Sequence, residues 1–180
     1  MSESHQLPAI RHEHQPVGVR PATQDDFAFI DGLQKANSKA LGFQYEQAIR
    51  KLIERGNVLL AEERNTREPL GYVLGVDKYL KRDELGIVYQ LAVAPGNRRR
   101  LIGAHLLKAQ FENSAYGCRL YCCWCAQDLA ANHFWEAMGF VPLAFRTGGG
   151  RTKKSGPRIH IFWQKRIRTD DRGGEDTFPY

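Results

Sequence analysis

The sequence predicts an α/β fold in which about four helices pack on one mixed central sheet of about seven strands. Short apolar strands alternate with amphipathic helical stretches, a strand–helix–strand unit lies mid-chain, and no internal repeat is present. At 180 residues, with 42% hydrophobic and 26% charged side chains, the chain fits one globular domain. We expect that domain to span 17–168, between a flexible N-terminal tail at 1–16 and an acidic C-terminal tail at 169–180.

The first half of the domain is predicted as a strand, two helices and two further strands. Thr23 is a candidate N-cap for a helix over 23–36, because acidic residues follow it where the helix dipole favours negative charge. Apolar residues recur at helical spacing again over 44–55, and Gly56 ends that helix. The strands predicted here are Val17–Arg20, Asn57–Glu63 and Leu70–Val76.

The second half is predicted as a central strand, two helices that alternate with strands, and two closing strands. Gly86–Val93 is the most continuously apolar strand and is expected at the centre of the sheet. It should pair in parallel with the strand that follows the next helix, through a right-handed crossover. The helices predicted here are 101–115 and 128–138, and the remaining strands are 118–125, Phe140–Phe145 and Ile159–Ile167.

All four cysteines lie within the eight residues Cys118–Cys125. A disulfide framework would spread its cysteines along the chain, and a zinc site usually shows two separated pairs of ligands. On a strand, Cys122 points to one face of the sheet while Cys123 and Cys125 point to the other. We therefore predict buried, reduced thiols and no metal site.

Charge is divided unevenly along the chain. Residues 1–16 carry a net −1 and 169–180 a net −3, so with +6 for the whole chain 17–168 hold the remaining +10. A basic core suits an anionic partner: a phosphorylated cofactor, a nucleic acid or an acidic protein. No apolar run approaches the ~18 residues of a membrane span, and the N-terminus lacks the apolar core of a signal peptide. We expect a cytoplasmic protein with no membrane partner.

A buried strand, a cationic turn and a helix start follow one another over 91–107. Backbone N–H groups at a helix start have no intrahelical partner, and the helix dipole adds positive charge there, so this stretch is a candidate pyrophosphate site. The three arginines 98–100 strengthen the field, and Gly103 removes a side chain where phosphate would approach the backbone. A surface turn with solvated arginines is the alternative interpretation.

A second stretch, 128–140, reads Asp-Leu-Ala-Ala-Asn-His-Phe-Trp-Glu-Ala-Met-Gly-Phe. With the first, it resembles the GNAT acyltransferase superfamily, in which a strand ending L-x-V-x-P leads into R-x-x-G-x-G/A, and N-x-x-A-x-x-F-Y-x-x-x-G-F comes later. The resemblance covers about 17–168. The matching residues are Leu91, Val93, Pro95, Arg98, Ile102, Gly103 and Leu106 in the first motif and Ala131, Phe134, Gly139 and Phe140 in the second.

The resemblance implies an N-acetyltransferase that uses acetyl-CoA as co-substrate, with an acceptor amine attacking the thioester directly. It also implies a sheet that splays between its fourth and fifth strands. The pantetheine arm would pair with the backbone of the fourth strand like an added strand, and the pyrophosphate would lie on the amides of the loop and helix start. The implied cofactor-binding residues are Leu91, Ala92, Val93, Arg98, Arg99, Arg100, Leu101, Ile102, Gly103, Ala104, Asp128 and Trp135.

Three of these residues depart from the family pattern. Leu101 replaces the first loop glycine, and its amide can still pair with phosphate if the backbone there avoids positive φ. Asp128 replaces an asparagine and brings a carboxylate near the cofactor arm. Trp135 occupies the position where many members carry a tyrosine that protonates the leaving thiolate, and an indole N–H donates hydrogen bonds but is no useful proton donor.

Tyr89 and Gln90 are the candidate catalytic residues, because carboxylate bases in such enzymes often lie on this fourth strand and here it carries none. Tyr89 would orient the amine or relay a proton, and Gln90 would hold substrate; packing is the alternative role for each. His105 and His133 are expected to be surface or packing residues. A second class of function stays open: a catalytically weakened CoA-binding module, or a basic module that binds nucleic acid or protein.

The acceptor is not identified by the sequence, and an anionic protein or RNA is the partner that the charge favours. Segment 146–168 holds eight cations and no acidic residue, and it includes a glycine-rich basic loop at 148–157 with Arg151, Lys153 and Lys154. In the superfamily the loop before the last strand lies on the acceptor side. A homodimer is a further open alternative.

Overall fold

The computed structural model describes residues 17–148 and 157–169. In these ranges seven strands form one mixed sheet in the order β1-β2-β3-β4-β5-β7-β6, with five α-helices around it. The strands are β1 (Val17–Pro21), β2 (Val58–Glu63), β3 (Pro69–Val76), β4 (Leu85–Val93), β5 (Leu120–Ala126), β6 (Val141–Gly148) and β7 (Arg158–Arg166). The helices are α1 (Phe27–Ala36), α2 (Ser38–Leu41), α3 (Glu46–Glu54), α4 (Ile102–Asn113) and α5 (Ala131–Ala137).

The predicted α/β arrangement is confirmed, including the parallel pair β4 and β5 that α4 connects. The short helix α2 was missed, because one helical turn is too short to show a 3.6-residue period. The helix predicted over 23–36 is instead a 3₁₀ turn at Gln24–Asp26 followed by α1. The two predicted tails and the basic loop residues Arg151, Lys153 and Lys154 lie outside the described residues, apart from Thr169.

Helices cover the sheet on two faces. On one face α4 and α5 pack over a core that includes Leu106, Trp135 and Trp163, all buried. On the other face α1 and α3 bury Ile30 and Ile49 completely against β2 and β3. The face under α1 and α3 continues across β4, β5 and β7, where a smaller cluster forms around Leu85, Ile87, Leu120 and Cys122. We call this continuation the acceptor face.

A β-bulge interrupts the middle of β4. Val88 lies opposite Gly75 and Gln90 lies opposite Leu74, so Tyr89 is an extra residue with no partner on β3. A bulge changes the alternation of side chains along a strand, and it is often found next to a functional site. The sequence gives no signal for it, because the run Gly86–Val93 is apolar on both sides.

The four cysteines are free and buried, as predicted from their clustering. Cys122 belongs to the cluster on the acceptor face, whereas Cys123 and Cys125 belong to the core under α4 and α5. Burial raises the pKa of the Cys122 thiol to about 12, so this thiol stays protonated at neutral pH. Among the described residues no helix combines the length and the apolar character needed to cross a membrane.

An ion-pair network joins β1, β2 and the start of α1. The Arg20 guanidinium donates two hydrogen bonds to Asp26, at 2.7 and 2.9 Å, and one to Glu62, at 2.8 Å. Asp26 also accepts a 2.7 Å hydrogen bond from the backbone N–H of Thr23. The Arg20 contact, followed by the Thr23 bonds, holds the pKa of the Asp26 carboxyl below its usual value.

We therefore expect Asp26→Asn to lower the free energy of unfolding by about 1–2 kcal/mol at pH 7. The pKa of Asp26 is lower in the folded protein than in the unfolded chain, where it is about 4. The ionised carboxylate therefore contributes its full stability at pH values above the unfolded-state pKa. This stability is lost as the pH falls through the folded-state pKa. The difference between wild type and variant should shrink across that acidic range. Urea unfolding at several pH values measures it, with exposed Asp25→Asn as the control; a difference independent of pH would contradict the assignment.

Candidate active site

The sheet opens between β4 and β5. The two strands pair only through Leu85–Ile87 and Leu120–Cys122, although β4 continues for six residues and β5 for four beyond that pairing. From Val88 onward the edge of β4 that faces β5 has no strand beside it. This edge leaves backbone donors and acceptors available, which is the arrangement that an extended ligand pairs with.

The opening forms a cleft of about 730 Å³ that passes through the sheet. On the α4/α5 face its wall includes Ile102, Phe134 and Met138, and on the acceptor face it includes Leu41 and Trp124. The residues predicted from the sequence that line it are Tyr89, Gln90, Leu91, Ala92, Val93, Arg98, Arg99, Leu101, Ile102, Gly103, Ala104 and Trp135.

The loop before α4 carries two non-glycine residues with left-handed backbone. Arg99 has φ 66° and Leu101 has φ 59°, so the condition that the backbone at Leu101 avoids positive φ does not hold. Such a conformation costs about 1 kcal/mol or more per residue, and strain of this kind is concentrated at ligand sites. A left-handed residue followed by the helical Ile102 turns successive N–H groups toward one concavity, which is an anion-binding geometry.

Gly103 has a packing role that the sequence did not suggest. A Cβ atom at this position would lie 3.0 Å from the Phe134 ring and 3.5 Å from Leu91. The missing side chain therefore allows α4 to approach α5 and β4, and the closeness of phosphate to Gly103 stays a prediction. Gly103 and Ala104 both line the cleft at the start of α4, where Ala104 is half-buried.

The three arginines of the loop have different partners. Arg98 lines the cleft and donates a 3.1 Å hydrogen bond to Asn37, which ties the loop to the end of α1. Arg99 lines the cleft and is exposed. Arg100 lies outside the cleft lining and donates to the Asn97 side chain at 2.6 Å, so its predicted contact with a cofactor has no support in the geometry.

Asp128 also lies outside the cleft lining. Its carboxylate accepts two hydrogen bonds from Arg158, at 2.9 and 3.1 Å, and this guanidinium holds the pKa of Asp128 below its usual value. The prediction that Asp128 lies near the cofactor arm is thus not favoured. Asn132, which the sequence analysis did not single out, organises this turn by donating to the carbonyls of Ala126 and Leu129, both at 2.8 Å.

Tyr89 stands at the bulge with 44% of its surface exposed, and it lines the cleft on the acceptor face. Its ring packs edge-to-face against Tyr79, with centroids 6.4 Å apart. Partial burial raises the pKa of the Tyr89 hydroxyl, and the neighbouring Tyr79 adds to this. The phenol therefore stays protonated at neutral pH, so it can donate a proton or a hydrogen bond but cannot act as a base.

Gln90 is buried and bonded inside the protein at both ends of its amide. Its carbonyl oxygen accepts from the Tyr72 hydroxyl and its amide group donates to Gln34, each at 2.9 Å. Gln34 in turn accepts from the backbone N–H of Gln44 at 2.7 Å and donates to the Gln44 carbonyl at 3.1 Å. Structural support, the alternative considered for Gln90, fits this geometry better than contact with substrate.

Trp135 lies buried at the cleft wall between two other aromatic rings. Its ring centroid is 5.2 Å from that of Phe134 and 5.1 Å from that of Phe140, each in an edge-to-face arrangement.

The cleft lining also includes three sulfur-containing residues that the sequence analysis did not predict: Cys123, Cys125 and Met138. Sulfur side chains in an apolar strand or helix carry no sequence signal of a site. The described lining contains no carboxylate and no imidazole; His105 and His133 are exposed on helices outside it.

Two cations of segment 146–168 serve the fold. Arg168 donates to four carbonyls at the C-terminal end of α4, including those of Phe111 at 2.9 Å and Cys118 at 2.7 Å. Arg158 bridges Asp128 and the carbonyl of Lys39, the latter at 2.7 Å. The segment is therefore not a simple solvated basic surface.

A family model described as "Acetyltransferase (GNAT) domain" matches residues 54–142, the part of the chain that runs from the end of α3 through β4, the loop, α4, β5 and α5. No curated protein sequence matches the chain significantly.

Solved structures share the fold over most of the chain. Ard1 from Thermoplasma volcanium has a TM-score of 0.70 at 13% identity, covering 85% of this chain and 99% of its own. NAA60 from Arabidopsis thaliana, in complex with a bisubstrate analogue, has a TM-score of 0.70 at 15% identity, covering 84% and 98%. The yncA protein from Salmonella typhimurium, with its cofactor acetyl-CoA, has a TM-score of 0.69 at 18% identity, covering 91% and 99%.

The family match covers the two sequence motifs, and the fold neighbours cover the sheet that opens beside them. Over residues 54–142 the chain matches the GNAT acetyltransferase domain, and its fold is the one that acetyltransferases of this superfamily share.

Proposed function

We propose that this protein transfers the acetyl group of acetyl-CoA to a primary amine that attacks the thioester directly. The observation that carries the proposal is the unpaired edge of β4 in the splay, with a helix start at its C-terminal end. Acetyl-CoA supplies the activated acetyl group. In this proposal the cofactor occupies the cleft from the α4/α5 face, and the amine enters from the acceptor face.

The cleft residues have distinct parts in binding. Backbone groups of Leu91, Ala92 and Val93 pair with the pantetheine arm, and the N–H groups between Arg99 and Ala104 hold the pyrophosphate, with Arg98 and Arg99 adding positive charge. Trp135 packs against the thioester end of the arm. The fit is favoured by the left-handed residues at the loop, which orient N–H groups at a cost in strain.

In the reaction, the amine nitrogen forms a bond to the thioester carbonyl carbon, the carbon–sulfur bond breaks, and CoA leaves as the thiolate. The described lining offers no base, so the ammonium proton of the acceptor goes to water before attack. The Tyr89 hydroxyl, protonated at neutral pH, donates its proton to the thiolate, and the proton that nitrogen loses as the amide forms restores the phenol. Tyr89 also lies where it can orient the amine.

Calorimetric titration with acetyl-CoA, followed by an assay of thiol release with a panel of amines, tests the proposal. Binding together with amine-dependent thiol release is expected. Binding without release would favour the alternative of a CoA-binding module, for which the absence of a carboxylate or imidazole from the described lining is the supporting observation. A cytoplasmic location and a homodimer stay predictions.

Trp135→Tyr tests the position of the missing acid tyrosine. If no other group has taken its role, turnover should be kept or raised, because a phenol is placed where the family usually has one. If Trp135 is instead a packing wedge for the acyl group, the variant should change the preference between acetyl-CoA and propionyl-CoA. Loss of all turnover with unchanged acetyl-CoA affinity would contradict both versions.

A further inference from the structure

Trp124 connects the cleft to the exposed sheet surface of the acceptor face. It lines the cleft, and its ring lies 5.0 Å from that of Phe162, centroid to centroid. The guanidinium carbon of Arg146 lies 4.0 Å from the centroid of the Trp124 ring. Arg146 reaches this position from β6, across β7, so a cation is held in place next to the route that an acceptor amine would take.

Among the residues that the structure describes, none neutralises the charge of Arg146. Within the described part of the chain no carboxylate forms an ion pair with Arg146, and no carboxylate lines the cleft. The indole N–H of Trp124 is buried and has no hydrogen-bond acceptor there. Arg146 is exposed, so among the described residues here it is the charged donor that a ligand can reach, and this chemistry recognises an anion and disfavours a polycation.

The size of the cleft favours a small acceptor. Trp124 lines a cleft of about 730 Å³, a volume typical of sites for small molecules rather than for folded macromolecules. Outside the lining, the Arg158 guanidinium bonds the Lys39 carbonyl in α2 and the Asp128 carboxylate after β5, so its charge is already partnered.

We propose that Arg146 and Trp124 form an acceptor subsite for a small primary amine that also carries a carboxylate or phosphate group. The anion pairs with Arg146, the carbon skeleton packs on the Trp124 ring, and the amine is directed toward the splay. The inference rests on the proposed acetyl transfer and names the substrate class for it. It replaces the anionic protein or RNA considered from composition.

The test uses radiolabelled acetyl-CoA with ultrafiltered small-molecule extracts of bacterial and yeast cells, and in parallel with an unfiltered lysate. Acetylation removes the positive charge of the amine, so a carboxylate- or phosphate-bearing product becomes a net anion that an anion-exchange column retains and that a salt gradient releases before the more highly charged acetyl-CoA. Phosphatase treatment releases a phosphate monoester product from the column but leaves a carboxylate product retained. The full-length protein is compared with Arg146→Gln, Arg146→Lys and, as a remote exposed control, Arg64→Gln.

With wild type we expect labelled product that the column retains. With Arg146→Gln at low acceptor concentration, the initial rate of formation of this product should fall about tenfold or more. Arg146→Lys should recover part of the rate, because it keeps the charge without the planar stack. Arg64→Gln should match wild type, and acetyl-CoA affinity should stay within about twofold in all variants, since none of these residues lines the cofactor part of the cleft.

Three outcomes would overturn the subsite while leaving acetyl transfer in place. They are label in the column flow-through, label only in macromolecules of the unfiltered lysate, and equal rates for Arg146→Gln and wild type. Acetyl-CoA binding without label in any fraction would overturn the proposed function itself, and the subsite with it. Calorimetry with acetyl-CoA distinguishes the two failures.

Discussion

Replacing Ala104 with glutamate is expected to raise the dissociation constant for acetyl-CoA at least about tenfold without unfolding the protein. Ala104 is half-buried in the first turn of α4 and lines the cleft beside the predicted pyrophosphate position. A carboxylate there lies near the positive end of the helix dipole, which favours it by about 0.3–1 kcal/mol. The same carboxylate repels the pyrophosphate from the N–H groups that would bind it.

The matched control is Ala104→Gln, which adds nearly the same volume without charge. Its dissociation constant should stay within about threefold of wild type, because only the steric change remains. Calorimetry measures both affinities, and thermal unfolding shows whether the fold is kept. Equal affinities for the two variants would show that phosphate does not approach this helix start.

The substitution is placed at residue 104 because the geometry at residue 103 would confuse charge with packing. Gly103 faces the Phe134 ring, so any side chain there moves an aromatic ring of the cleft wall before its charge acts. A weakened affinity in a Gly103 variant would then have two causes. At Ala104 a side chain already exists, and the comparison of glutamate with glutamine isolates the charge.

Gln34→Leu is expected to lower the free energy of unfolding by about 3 kcal/mol. Gln34 has no exposed surface, and its amide holds both backbone groups of Gln44 as well as the side chain of Gln90. Leucine fills similar space but leaves the buried Gln90 amide and the half-buried backbone groups of Gln44 without this partner. A buried group that loses its partner costs roughly 1–3 kcal/mol, and the half-buried groups cost less. For a chain of this size the melting temperature should fall by about 6–12 °C.

Gln47→Leu is the control for this prediction, because it makes the same chemical change at an exposed position of α3. It should change the free energy of unfolding by no more than about 0.5 kcal/mol. Urea unfolding of the three proteins gives the comparison. A Gln34→Leu variant as stable as wild type would mean that Gln44 and Gln90 find other partners, and that this network does not hold the loop before α3 against β4.

Local patterns predicted the order of strands and helices well, because period-two and 3.6-residue alternation reflect burial on one face of an element. They failed at α2, at the Tyr89 bulge and at the left-handed residues of the loop. One helical turn leaves too few apolar positions to show a period. A bulge is defined by its partner strand, and Arg99 and Leu101 are residue types that usually avoid positive φ.

The candidate site divides in the same way. The motif around Arg98 and Gly103 indicated a helix start beside a buried strand, and the structure places ten of the twelve implied cofactor residues on the cleft wall. Arg100 lies outside the cleft lining and donates to Asn97, although it has the same charge as its neighbours Arg98 and Arg99. Asp128 also lies outside the lining, where it pairs with Arg158. Sequence position alone does not fix such a partner, since side-chain direction depends on neighbouring elements.

The sequence by itself determined the fold class and the resemblance to the superfamily, and it predicted the strand and the helix start that border the cleft, because each depends on residues close together in the chain. Only the tertiary structure decided at which residue β4 and β5 separate, the closed network of Gln34, Gln90 and Tyr72, and the position of Arg146 over Trp124. The two hydrogen bonds of the network join residues that are 18 and 56 positions apart in the chain. The other two features each involve residues on different strands. Contacts of this kind form when elements pack together, so no local periodicity in the chain encodes them.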